Sequence, residues 1–176
     1  MEDVLLSRQR PERSRSVLNQ ETNEKEQMSL TVPTVQVHPS VVQAIRDHGG
    51  RQARKGGYEA VGFVASKRGR GVATVPLNNH SPDPEHGFFV EPWEQYRAEN
   101  KLTREGYEIL GVYHSHVNSE ALPSQTDHVG ARAWEGCYIF IYSVVFDDLQ
   151  AYGLVDGYLE PVELVVAKGK SNGDPE

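Results

Sequence analysis

Apolar positions along this chain follow two rhythms, one helical and one extended. The run Tyr58-Glu59-Ala60-Val61-Gly62-Phe63-Val64-Ala65 is almost unbroken by polar residues, as expected of a strand covered on both faces. Residues 69–71 read as a turn and 72–77 as the returning strand of a hairpin. Upstream, Ser40 and Gln43 form a capping-box signature, and Val41 and Ile45 hold helical spacing until Gly49-Gly50 weakens it. Pro82 and Pro84 exclude regular structure from 78–87, and 88–90 reads as a short strand. Pro92 suits the first position of a helix reaching about Glu105, with Trp93 and Tyr96 on one side. A strand over 109–113 leads into His114, a helix covers 124–135, and 138–145 is a strongly apolar strand. Residues 149–155 and 159–166 supply the last two strands. Six or seven strands and about three helices make a mixed α/β domain, with no internal repeat.

The ends do not share this pattern. Arg8, Arg10, Arg13 and Arg15, followed by Glu21, Glu24 and Glu26, leave too little apolar surface to offset the entropy of ordering. Residues 1–28 are therefore expected to be a disordered polar tail, 29–167 the folded domain, and 168–176 a second loose tail. The chain of 176 residues has room for one substantial core and not two. No apolar run approaches the ~20 residues that span a bilayer. A net charge of −7 argues against a nucleic-acid surface, which needs clustered Lys and Arg. One cysteine, Cys137, rules out an internal disulfide and fits a cytoplasmic location; it starts an apolar strand and reads as a small buried hydrophobe.

The informative chemistry lies at His114-Ser115-His116. Residues two apart on an extended chain face the same way, so the two imidazoles can share one metal ion while Ser115 points to the other side. A catalytic zinc site needs a third protein ligand and an open fourth position, and Glu120 and Asp127 are the nearby candidates. The pair alone does not establish a metal site, since two histidines at this spacing also occur by chance. Ser124 and Asp127 likewise match a simple helix capping box. The His-x-His-x-Asp-His template of metallo-β-lactamase-type sites fails at Asn118 and Ser119. Amidohydrolase barrels need ~250 residues. A cupin pattern accepts Glu120 as ligand but meets Glu108 and Asp127 where glycines belong.

One template fits throughout. His114, His116, Ser124 and Asp127 spell His-x-His-x7-Ser-x2-Asp, and this resembles the JAMM, or MPN+, metallopeptidase family. The similarity covers about residues 37–166, and the stretches 78–92 and Ala121-Leu122-Pro123-Ser124 look like its prokaryotic branch. Val117 stands where many relatives have proline. The resemblance implies a single MPN (JAB-like) domain with a mixed, curved sheet. It further implies one zinc ion held by His114, His116 and Asp127, with Glu59 as general acid–base and Ser124 as donor to the oxyanion. The implied reaction is hydrolysis of the amide after the C-terminal Gly-Gly of a small ubiquitin-like sulfur-carrier protein, releasing cysteine or a short extension. Two alternatives are an isopeptidase that removes a ubiquitin-like modifier from conjugates and a non-catalytic scaffold. His80 and His86 are expected in solvent, with substrate within reach, and His128 behind the ligands.

Overall fold

The structure, a computed structural model, describes residues 33–167, so both expected tails lie outside the described residues. Seven strands and three helices run in the order β1 (Thr34–Val37), α1 (Pro39–Gly56), β2 (Val61–Lys67), β3 (Arg70–Leu77), α2 (Pro92–Arg104), β4 (Glu108–His116), α3 (Gln125–Gly130), β5 (Tyr138–Ser143), β6 (Asp148–Val155) and β7 (Tyr158–Val166). A 3₁₀ turn, Ala131–Trp134, continues α3. The sheet runs β1-β3-β2-β4-β5-β6-β7 and curls until β1 meets both ends. β1 lies parallel to β7 over four residues but touches β3 only at Val37↔Gly71. The β4–β5 pair at the centre is also parallel, and the remaining pairs are antiparallel. No helix among the described residues is long and apolar enough to cross a membrane.

The sheet is a wall between two apolar clusters, which is why its central strands read as continuous hydrophobic runs. Val61, Phe63, Val112, Ile139 and Ile141 pack on one side with α2 residue Leu102 and Ala131 of the 3₁₀ turn. Val64, Tyr113, Phe140 and Tyr142 pack on the other with Val41, Val42 and Ile45 of α1. A polar pair secures that second side: His48 Nδ1 and the Tyr113 hydroxyl are 2.8 Å apart in the core. Burial lowers the His48 pKa to about 4, so the imidazole is neutral near pH 7.

Several local expectations give way to tertiary constraints. α1 begins at Pro39 under an N-cap by His38, not Ser40, and runs through Gly49-Gly50 to a left-handed Gly57. Gly49 survives inside the helix because a Cβ there would meet the Tyr142 ring at 2.7 Å. The seventh strand is β1, not 88–90, which loop hydrogen bonds hold instead. β2 starts at Val61, two residues after Glu59. β4 extends to His116, so both histidines are strand residues. The expected helix over 124–135 is six residues of α-helix and then the 3₁₀ turn.

Two glycines let the strands close up around the site. A Cβ on Gly62 would lie 2.5 Å from the Val75 carbonyl and 2.6 Å from the Tyr113 ring, and one on Gly111 would strike the Tyr138 carbonyl. Neither can be relieved by a side-chain rotation alone, because each contact includes backbone. Gly62→Ala and Gly111→Ala are each expected to cost about 1–3 kcal/mol by overpacking. Gly87→Ala, with nothing within 4 Å of its new methyl, should stay within about 0.5 kcal/mol. Urea denaturation of the three variants checks this; equal midpoints would refute it.

Candidate metal centre and catalytic cavity

Alternation along β4 sends Val112, His114 and His116 to one face and Tyr113 and Ser115 to the other. The histidines are buried, and their Nε2 atoms lie 3.2 Å apart. Asp127 arrives from the first turn of α3, with Oδ1 3.1 Å from His114 Nε2 and Oδ2 3.4 Å from His116 Nε2. One ligand atom from each of the three residues falls within 4.8 Å of the others, a set able to hold a metal ion. Zinc bonds of ~2.0–2.1 Å in a tetrahedron put neighbouring ligand atoms about 3.3 Å apart. The observed separations fit that spacing, and two imidazoles with a carboxylate are a natural donor set for zinc.

Each ligand is held from behind. His116 Nδ1 donates to the Glu120 carbonyl at 2.9 Å, so in the neutral imidazole Nε2 carries the lone pair that a metal requires. This also corrects the cupin alternative: Glu120 serves through its backbone, and its side chain is exposed. The Phe88 ring packs against His114 with centroids 4.9 Å apart, while His114 Nδ1 is buried without a protein partner. Ser124 and Asp127 form a capping box: the Ser124 hydroxyl and amide donate to Asp127 Oδ2 at 2.6 and 2.7 Å, and the Asp127 amide donates back to Ser124 Oγ. The intervening loop is tied to the sheet by Ser143 Oγ donating to the Ser119 carbonyl and the Tyr152 hydroxyl donating to the Ala121 carbonyl.

The electrostatics suit a cation. Burial opposes ionisation of Asp127, but hydrogen bonds from His114, His116 and Ser124 hold its pKa well below the usual carboxylate range. Burial likewise works against a charged His116; bonds to Asp127 and Glu120, with the Asp127 and Glu59 charges, raise its pKa nonetheless.

Glu59 lines the same cavity as the three ligands and is only 7 % exposed. Burial raises its pKa to about 7, opposed by His116 and reinforced by Asp127. It lies just outside β2, and three contacts fix its backbone. The Glu59 amide donates to the Pro84 carbonyl, and the Ala60 amide donates to Ser115 Oγ at 2.8 Å. Asn79 Nδ2 donates to the Glu59 carbonyl at 3.1 Å and to the Gly87 carbonyl at 3.0 Å. Asn79 Oδ1 accepts from the Ser81 and Phe89 amides, so one side chain binds the 78–91 loop to Glu59. The sequence marks Asn79 only as a turn former, and nothing local shows that it reaches Glu59.

The remaining candidates separate cleanly. Ser115 supports Glu59 from the far face, as its place in the alternation implied. His128 Nδ1 accepts the Leu159 amide at 2.9 Å and pins α3 to β7 rather than backing the ligands. His80 pairs with Glu94, and His86, exposed on the cavity rim, pairs with Asp83, which raises its pKa. Burial raises the Cys137 thiol pKa, consistent with an unreactive side chain.

The chain is similar to several known proteins. Residues 38–154 match the family model for prokaryotic homologs of the JAB domain. A Thermus thermophilus protein named a probable TtuB-protein conjugate cleaving protease is 34 % identical over 126 residues, 72 % of this chain and 78 % of that protein. A Pyrococcus furiosus protein named desampylase is 26 % identical over 83 residues, 47 % of this chain and 59 % of its own. A solution structure of a Desulfitobacterium hafniense protein superposes with a TM-score of 0.66 at 20 % identity, covering 77 % of this chain and 94 % of that one. With most of the folded chain inside the matched segment, the protein belongs to the prokaryotic branch of the JAB, or JAMM/MPN, family.

Proposed function

We propose that this protein is a zinc metallopeptidase that hydrolyses the amide after the C-terminal Gly-Gly of a small ubiquitin-like sulfur-carrier protein. The observation that carries the reading is the convergence of two imidazole nitrogens and one carboxylate beside a second, buried carboxylate on the same cavity wall. Relatives named a conjugate cleaving protease and a desampylase favour the bond joining that tail to another protein over a short C-terminal extension.

His114, His116 and Asp127 would hold the metal. Zinc, when bound, brings the pKa of its water to ~7 and polarises a carbonyl oxygen. Glu59 is placed to take a proton and return it to the leaving amine, which calls for a carboxyl whose pKa lies near the working pH. Ser124 faces the cavity, and turning its hydroxyl from Asp127 toward the substrate oxygen would supply a donor as negative charge develops there.

Purified protein is expected to carry about one zinc per chain by elemental analysis, and His116→Ala or Asp127→Asn to lose it. Glu59→Gln should keep the zinc yet cleave a lysine-linked Gly-Gly conjugate roughly 10²- to 10⁴-fold more slowly. Cleavage that survives complete chelation would sink the proposal.

A second prediction concerns the protein without metal. The folded-state pKa of Glu59, about 7, lies above its ordinary value of 4.5, so the native state binds this proton more tightly than the unfolded chain. Stability from this group is intact below pH 4.5, falls as pH rises toward 7, and is lost above. The full cost is on the order of 3 kcal/mol. Glu59→Gln should therefore stabilise the zinc-free protein progressively over that interval and level off beyond it. Denaturation across pH tests this; a pH-independent gap between variant and parent would contradict it.

A further inference from the structure

Glu59 stands outside the sheet, so the ladder that fixes β2 stops short of it. β2 and β3 pair as far as Val61↔Leu77, where β3 ends. Carrying that register two residues further on each chain sets Asn79 opposite Glu59, where the ladder would continue if the strands did. A side chain takes over there. Asn79 Nδ2 donates to the Glu59 carbonyl at 3.1 Å and to the Gly87 carbonyl at 3.0 Å. Oδ1 accepts the Ser81 amide at 2.9 Å and the Phe89 amide at 3.2 Å. Both amide hydrogens and both lone pairs of the oxygen are used, and one orientation of the amide alone satisfies all four partners. The flanking residues turn the other way: the Asn78 amide and Nδ2 donate to Glu94 Oε1 at 2.8 and 3.0 Å, and His80 Nε2 pairs with Glu94 Oε2 at 3.0 Å. Glu94 of α2 thus grips residues 78 and 80 while Asn79 between them holds Glu59. The segment fixed in this way supplies Glu85, His86, Gly87, Phe88, Phe89 and Val90 to the cavity wall.

We infer that Asn79 is a positioning residue for the reaction: it sets the Glu59 backbone and the 85–90 wall of the cavity in one fixed relation and acts through Glu59. The inference rests on the proposed reading of Glu59 as the group that takes and returns the proton. Pro84 and Ser115 hold the Glu59 and Ala60 amides, and Asn79 holds the carbonyl between them. A displacement of about 1 Å at a reacting group can cost ~10²-fold in rate, so the loss of such a tether has a measurable consequence. Aspartate at this position has the same outline and can still accept both amides. Ionised, it has no hydrogen for either carbonyl, so it removes the tether to Glu59 and spares the other half of the network.

The test places Asn79→Asp in two backgrounds and follows cleavage of the lysine-linked Gly-Gly conjugate. In the parent, kcat is expected to fall by about 10- to 100-fold. In Glu59→Gln the residual rate should change by less than about twofold, because a residue that acts through Glu59 has nothing left to position. Equal loss in both backgrounds, or no loss in the parent, would overturn the role of Asn79, while a slow Glu59→Gln protein keeps the peptidase reading standing. A Glu59→Gln protein as fast as the parent would instead sink that reading and the inference with it. Asn79→Ala, which brings no new charge, serves the same comparison if the aspartate variant does not fold. Hydrogen exchange in the zinc-free protein gives a readout without turnover. The Glu59, Ser81 and Phe89 amides should exchange faster together in Asn79→Ala, with the amide of fully buried Phe140 unchanged. Faster exchange at Ser81 and Phe89 with Glu59 unmoved would overturn the coupling.

Discussion

A strand sends successive side chains to opposite faces, and in β4 that rule divides the candidate ligands from their supports. His114 and His116 face the cavity, while Tyr113 and Ser115 face the α1 side. The two sets do different work from the same nine residues. Tyr113 anchors α1 through His48, and Ser115 reaches under the neighbouring strand to accept the Ala60 amide beside Glu59. A one-residue slip in register would turn both imidazoles into the wrong core and release the Glu59 backbone at once. Gly62 and Gly111 guard that register, because side chains there would force neighbouring strands apart.

Burial of Glu59 sets function against stability. A carboxyl nearly withdrawn from water has a pKa suited to proton transfer near neutrality, and the same withdrawal burdens the fold once it ionises. The structure answers by holding the backbone of Glu59 with three partners and leaving its carboxyl to the cavity. Asn79 matters most among them, since its four hydrogen bonds join the loop that carries Phe88 to Glu59.

Much of this was legible in the sequence where the controlling physics is local. The apolar runs gave the central strands, and the His-x-His spacing with Ser124 and Asp127 brought together the residues that do converge. What escaped was set by distant partners. β1 is four residues long and exists through parallel pairing with β7, a contact more than a hundred positions away. Gly49-Gly50 looked like a helix end, but the need for room beside Tyr142 outweighs propensity there. The 88–90 segment had strand composition yet no strand partner, and Asn79 and His80 hold it as loop. Asn79 and Tyr152 act through backbone carbonyls, which leave no mark in side-chain spacing.

The two meanings of Ser124 and Asp127, helix cap and metal site, are one device. A helix of six residues is too short to persist on its own, because nucleation costs more than so few backbone bonds return. α3 is held by its capping box, by His128 on the Leu159 amide, and by Asp127 against the imidazole pair. Oδ2 of Asp127 takes both Ser124 donors, so the cap that starts the helix also aims the carboxylate. Free energy from a cation bound to these three residues would flow into ordering α3 and the 3₁₀ turn behind it. That turn carries Ala131 and Trp134, which wall the cavity on the side facing the sheet. A cation held by these three residues would therefore be linked to the shape of the cavity through a single short helix.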